Sequence, residues 1–262
     1  MVQADLLLCA LRESGQKIPV LMYHHINHHA GDTVTVTPEV FAAQMQFLSD
    51  EGYQTLSADE LLLFVQGKQF GSGKSVAITF DDGWLDNYLY AVPVLQRNRF
   101  KATFFIITNR ADAASKRERQ LNLDIPDHET AKKLIQCDAA ESVVLDWELI
   151  RELDSGTLFR FYSHTASHSR IAALSSQQMY AELTQSKERL EAETGRNCEY
   201  LCWPYGSFTP EAVVVAEKVG YTAIFTTIDG LCETGSNPFL LKRIEVMNSV
   251  EWFKKRLSGE SQ

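Results

Sequence analysis

Thr79-Phe80-Asp81-Asp82-Gly83 puts two carboxylates at the end of an apolar run. Neighbouring carboxylates disfavour each other's charge, so such a pair persists where a cation or a shared proton holds it. An Asp ahead of a helical pattern also serves as an N-cap, and Gly83 permits a sharp turn. Farther along, Ser163-His164-Thr165-Ala166-Ser167-His168 carries two histidines at i and i+4. On one helical turn that spacing brings both imidazoles to a single ion. A surface pair shares the spacing, but the absence of charge between the two and the aromatic run before them favour ligation. One aspartate with these histidines gives an Asp-His-His site with positions left open for water and substrate, the form of a catalytic metal centre.

Two further clusters follow apolar runs. In Cys202-Trp203-Pro204-Tyr205-Gly206, Pro and Gly fix a turn whose aromatics either pack or stack on a sugar ring. Tyr23-His24-His25-Ile26-Asn27-His28-His29 suggests a metal site, yet a strand end faces only some of its residues inward, so one functional histidine and three exposed ones are expected. The five cysteines (Cys9, Cys137, Cys198, Cys202, Cys232) are odd in number and contain no CxxC pair. Buried reduced thiols are expected rather than a disulfide or metal pairing of Cys198 with Cys202.

The elements that must position these residues alternate. Ile18 to Tyr23 reads as a buried strand, Pro38 to Asp50 as a helix, and Tyr53 to Leu56 as a strand before a helix capped by Ser57 with Glu60 in a capping box. Strands follow at Ser75 to Phe80, Ala102 to Ile107, Leu158 to Tyr162, Tyr200 to Trp203, Tyr221 to Thr226 and Leu240 to Val246. Helices are expected at Asp86 to Arg97, Trp147 to Leu153, Ser176 to Thr194, Pro210 to Val219 and from Val250 onward. Asn109 to Ser142, charged and irregular, reads as a lid-like insertion. Seven or so buried strands alternating with helices favour a barrel-like parallel sheet, with the chemistry at the C-terminal strand ends.

Composition sets the bounds. The 262 residues are 45% hydrophobic and 23% charged, which excludes a disordered or collagen-like chain and suits one large domain over 1–262. Twenty-five Lys and Arg against 34 Asp and Glu give a net charge of −9, which argues against nucleic acid or anionic lipid as a partner. The run Leu6 to Leu11 is short, follows Asp5 and lacks a basic leader, so it reads as neither signal peptide nor transmembrane segment. A cytoplasmic location is expected, although a trimmed export signal would leave the same sequence.

Taken in order, Thr79-Phe80-Asp81-Asp82-Gly83, His164-Thr165-x-x-His168 and Pro204-Tyr205 resemble the three core motifs of the polysaccharide deacetylases, the family 4 carbohydrate esterases. The resemblance runs from Pro19 to Val246. Leu21-Met22-Tyr23-His24-His25 resembles the poly-N-acetylglucosamine deacetylase branch, in which a histidine usually found late in the chain comes from the N-terminal side.

The resemblance implies an α/β fold, a distorted (β/α)7 barrel, and metal-dependent hydrolysis of an N-acetyl group on an amino-sugar glycan or glycan precursor. It implies Asp82, His164 and His168 as ligands of a divalent metal, commonly zinc. Asp81 would be the general base, the backbone N–H of Tyr205 the oxyanion donor and His24 the general acid, with His25 as second choice. An O-acetyl sugar esterase and a glycan-binding relic are the alternatives. One departure stands out: the third motif of most members begins with Arg, and this chain has Cys202. Arg243, in Leu241-Lys242-Arg243-Ile244, is expected to supply that guanidinium to Asp81. The late tryptophan and histidine motifs of the family do not follow Val246.

Overall fold

Strands buried on both faces need continuous apolar runs, and β1 (Lys17–Tyr23) shows one, with every residue after Lys17 buried. The computed structural model describes residues 15–68, 73–119 and 124–258. The Leu6 to Leu11 run and Cys9 lie outside the described residues. After β1 come the two-residue strands β2 (His25–Ile26) and β3 (Thr35–Val36), then helix α1 (Pro38–Asp50), β4 (Gln54–Leu56), α2 (Ala58–Val65) and β5 (Ser75–Phe80). A π-helical turn, Asn87–Ala91, leads into α3 (Val92–Asn98) and β6 (Ala102–Ile106). Next are α4 (Thr108–Ala114), α5 (His128–Gln136), α6 (Trp147–Asp154), β7 (Phe159–Ser163), α7 (Ser176–Thr194) and β8 (Tyr200–Cys202). The described chain ends with α8 (Pro210–Val219), β9 (Ala223–Asp229), β10 (Leu231–Glu233), β11 (Leu241–Glu245) and α9 (Val250–Ser258).

The order β1-β11-β9-β8-β7-β6-β5 returns to β1, closing a seven-stranded parallel barrel. The closing seam pairs Val20 with Ala77 and Tyr23 with Phe80. Outside the ring, β4 runs parallel to the first half of β5, and β10 lies antiparallel to the first half of β1. The fold is therefore the (β/α)7 barrel that the alternation and the resemblance led us to expect.

An aromatic ladder records the register. Tyr23, Phe80, Phe104 and Phe161 occupy paired positions on four adjacent strands, and their rings stack at 5.4, 4.9 and 5.0 Å between centroids. Phe80 also meets Phe41 of α1, so this ladder faces the helical layer. Side chains alternate across a strand, which turns Thr79 and Asp81 the other way, into the barrel interior.

Local signals set the helix starts. Ser57 and Glu60 form a full capping box on α2, and Ser175 with Gln178 forms one on α7. One expectation needs correcting here. The 109–142 segment carries α4 and α5 rather than irregular chain. With the residues just after it, it packs a small apolar cluster in which Ala114, Ala131, Ala140, Val143 and Val144 meet Trp84. In α5 only Ala131 is buried, with Leu134 and Ile135 partly so, a short helical stripe that the charged residues around it obscure in the sequence. Among the described residues, no helix is long and apolar enough to cross a membrane.

Candidate active site

Three loops at the C-terminal ends of β5, β7 and β8, with β11 beside them, bring the candidate residues together. The first loop continues the seam, since the Asp81 N–H donates to Tyr23 O at 2.9 Å. Asp82 then adopts φ +73° and Gly83 φ +76°. A Cβ on Gly83 would lie 2.9 Å from Ile106 Cδ1, so glycine suits both the turn and the close approach. Asp82 has no such freedom, and a left-handed non-glycine costs on the order of 1–3 kcal/mol, held here by its surroundings.

The second loop departs from expectation. His164 and His168 do not lie on a helical turn: β7 ends at Ser163, and Thr165 and His168 have φ of +65° and +64°. Side-chain acceptors hold this irregular loop. Ser163 Oγ accepts from the Thr165 N–H and Thr165 Oγ1 from the His168 N–H, while Glu182 of α7 accepts from the Ala166 and Ser167 N–H groups. The loop still brings the imidazoles together, with ring centroids 4.9 Å apart.

His164 and His168 present Nε2 to Asp82 Oδ1 at 3.5 and 3.2 Å. Cys202 O can only accept, so its 2.9 Å contact places a hydrogen on His164 Nδ1 and leaves Nε2 as a lone pair. Burial keeps His164 neutral, lowering its pKa to about 4. Burial works against the Asp82 charge, yet His168 and Arg110 outweigh it and hold the carboxyl well below its usual range. The Trp84 indole N–H donates to Asp82 Oδ2 at 3.0 Å, whereas buried Asp82 Oδ1 has no hydrogen-bond partner among the described residues.

This donor set fits a divalent metal. Two ligands about 2.0–2.1 Å from a tetrahedral ion stand about 3.3 Å apart, close to the separations seen. The orphaned Oδ1 and the tautomer of His164 both leave lone pairs where an ion would need them.

Beside it, Asp81 lies in the barrel interior. Arg243 Nη1 and Nη2 donate to Asp81 Oδ1 and Oδ2, each at 2.8 Å, and Nη1 also reaches Thr79 Oγ1 at 3.2 Å. Burial alone would raise the Asp81 pKa, but the charge and hydrogen bonds of Arg243 bring it down to about 2. Cys202 Sγ sits 3.0 Å from Arg243 Nη2, and burial pushes this thiol well above its ordinary pKa. Cys202 is also near Asp81 and His164, but the guanidinium at its sulfur makes that trio a poor cation site. No described cysteine is paired; Cys198, Cys202 and Cys232 are buried and Cys137 is exposed.

In the third loop Tyr205 has φ +58° and Gly206 φ +60°. A Cβ on Gly206 would meet Thr227 Oγ1 at 2.0 Å. The exposed Tyr205 ring packs against His168 at 4.5 Å and lies under the Arg170 guanidinium at 4.2 Å.

Comparison with known proteins now adds its own observation: the family model described as polysaccharide deacetylase matches residues 68–224, more than half of the chain. The chain belongs to the polysaccharide deacetylase family. The Bacillus subtilis protein YxkH, which carries a polysaccharide deacetylase name, is 30% identical over 234 residues, covering 89% of this chain and 73% of that protein. Poly-beta-1,6-N-acetyl-D-glucosamine N-deacetylase of Escherichia coli is 23% identical over 240 residues, a match that covers 80% of this chain but 34% of that relative. The Streptococcus pyogenes deacetylase PplD shares the fold, with a TM-score of 0.79, 24% identity and coverage of 95% of this chain and 100% of the other.

The N-terminal histidine cluster divides differently from expectation. His28 and His29 are exposed, but His25 is buried along with the partly buried His24. His24 Nε2 faces Asp81 Oδ2 at 3.8 Å. His25 turns away from Asp81, with Nδ1 2.6 Å from Asp86 Oδ2 and Nε2 3.0 Å from His128 Nδ1. Sequence reasoning missed Trp84, Asp86 and Arg110. The first two follow the Asp81-Asp82-Gly83 motif directly, and an indole and a carboxylate in the first turn after a candidate ligand were the available signal.

Proposed function

We propose that the chain is a divalent-metal-dependent N-deacetylase acting on an acetylated amino-sugar glycan or glycan precursor. The observation that carries this reading is Asp82 Oδ1, buried and unpartnered, facing the Nε2 atoms of His164 and His168 beside an Asp81 that Arg243 keeps ionised. The named activity of the Escherichia coli relative supports an amino-sugar N-acetyl group as the target.

In this reading Asp82, His164 and His168 hold the metal. When bound, it supplies a Lewis acid for the acetyl carbonyl and acidifies a water near neutral pH. Asp81 takes the water proton as oxygen adds to the acetyl carbon. With its pKa held at about 2 by Arg243, Asp81 stays ionised near neutral pH and would serve as a base toward an acidified water. The Tyr205 backbone N–H donates to the oxyanion. His24 gives a proton to the nitrogen as the C–N bond breaks, releasing acetate and a free amine. Arg243 aims Asp81 and keeps it charged. The −9 charge is compatible with a neutral glycan whose product is cationic.

The test is acetate release from N-acetylated oligosaccharides together with metal content. Asp81→Asn should lose turnover and keep metal, and His164→Ala should lose both. If both variants release acetate like the parent, the proposal fails.

A further inference from the structure

The Trp84 indole N–H bonds Asp82 through Oδ2, the oxygen turned away from the histidines, and an assembly of buried polar groups stands behind it. The His25 ring stacks on the Trp84 ring at 4.1 Å and 29°, and His128 meets both rings edge-on, at 5.1 Å from His25 and 5.7 Å from Trp84. The His25 Nδ1 hydrogen points to Asp86 Oδ2 at 2.6 Å, while its Nε2 stands in hydrogen-bond contact with His128 Nδ1 at 3.0 Å. Asp86, fully buried, also accepts from the Asn87 side chain at 2.9 Å and from the Ile26 N–H at 3.4 Å. It stands just before the π-helical turn, a backbone form found often at functional sites.

His128 belongs to the 109–142 insertion, which is tied to the same place by other bonds. Asn27 Nδ2 donates to Ile125 O and Pro126 O at 3.2 and 2.9 Å. Just past the end of the insertion, the Leu85 N–H donates to Val143 O and the Leu145 N–H to Gly83 O, both at 2.9 Å, on the two sides of Trp84. The start of α4 reaches the other ligand loop, where the Asn109 N–H donates to Ala166 O at 3.0 Å. The insertion and the residues that directly follow it therefore grip both loops that carry the three candidate ligands, as well as the indole that touches Asp82.

We propose that His25, Asp86 and His128 are positioning residues that hold the Trp84 indole against Asp82, so that docking of the 109–142 insertion sets the metal affinity of the site. The inference rests on the metal-binding reading above. A carboxylate whose Oδ2 is fixed by an indole N–H has its Oδ1 aimed, and partners of this kind are worth about 10- to 100-fold in metal affinity. The insertion then acts as a brace for the ligand, a different task from covering the substrate.

The test is a double-mutant cycle on the full chain, reading Zn2+ affinity by chelator competition and the Co2+ absorption spectrum, neither of which needs turnover. Trp84→Phe keeps the ring and removes the N–H; it should raise the Zn2+ Kd about 10- to 100-fold and shift the Co2+ bands. His128→Ala should raise the Kd in the parent and add nothing once Trp84 is Phe, because it acts through the indole. If His128→Ala does not fold, His128→Asn takes its place in the cycle and is read the same way. Trp84→Phe with the parent Kd, or the His128 variant raising the Kd by the same factor in both backgrounds, overturns the inference. A parent that binds neither ion overturns the metal reading too, whereas a metal-binding parent matched by Trp84→Phe overturns this inference alone.

Discussion

Arg243 and Asp81 form a two-pronged ion pair in the barrel interior, with both N–O distances at 2.8 Å and both side chains nearly inaccessible to solvent. The pair joins two strand ends. Asp81 follows β5, while Arg243 lies on β11 just past a register shift between Leu241 and Arg243 against β9. Such an irregularity re-aims a side chain, and here it points a guanidinium across the barrel.

Removing one partner of a buried pair strands the other charge, so Arg243→Ala should cost about 3–5 kcal/mol of unfolding free energy at pH 7. Turnover should fall at least about 100-fold, the lower range for losing a general base. Arg243→Lys keeps the charge without the fork and should recover little of either. The pH dependence has a definite sign. The Asp81 pKa is depressed to about 2 from an unfolded value of about 3.9, so its contribution is complete above the unfolded value and lost as pH falls through about 2. Urea unfolding of metal-free parent and Arg243→Ala should show a gap that narrows from pH 7 toward pH 2; a constant gap would refute the pairing.

Cys202 occupies the position where most family members carry Arg, and its sulfur lies against Arg243 Nη2. Restoring that Arg should therefore harm the protein. Cys202→Arg forces a second guanidinium into a fully buried site beside the first, combining overpacking with like charge. Thermal unfolding should show a clear drop. Combining it with Arg243→Ala should recover part of the stability, since one guanidinium again faces Asp81. A double variant less stable than both singles would show that the two positions do not share one task.

The barrel was legible because its strands are continuous apolar runs and its helix starts are written in caps such as Ser57 with Glu60 and Ser175 with Gln178. Arg243 was legible because a departure at Cys202 left a missing charge to account for. The His164 to His168 loop was misread because its shape is set by Glu182, distant in sequence, and by left-handed residues that no spacing announces. His25 was misread for a related reason. Its partners Asp86 and His128 come from elements far along the chain, so nothing in the Tyr23 to His29 run distinguishes it from His28 and His29.

Metal that binds the folded state alone should raise stability by RT ln(1 + [L]/Kd), about 4 kcal/mol at a thousandfold excess over Kd. Zn2+ should thus raise the melting temperature of the parent. The rise should vanish in His164→Ala, which removes an imidazole lone pair, and in Asp82→Asn, which removes the carboxylate charge at the common point, and persist in Asp81→Asn. A shift that survives loss of both His164 and His168 would place the ion elsewhere.

His24 and His25 are adjacent yet face different partners, and the leaving group tells them apart. An amine leaves only when protonated, whereas 4-nitrophenolate leaves without help. If His24 supplies that proton, His24→Ala should lower kcat on an N-acetylated oligosaccharide by about 100-fold or more while sparing most of the hydrolysis of 4-nitrophenyl acetate. His25→Ala should lower both rates in proportion, since its ring touches Trp84 and Asp86 rather than the reacting bond. Measured side by side, the ratio of the two activities should change in the first variant and hold in the second. The reverse pattern would move the acid to His25, and no change of ratio in either variant would take the proton donor out of this histidine pair.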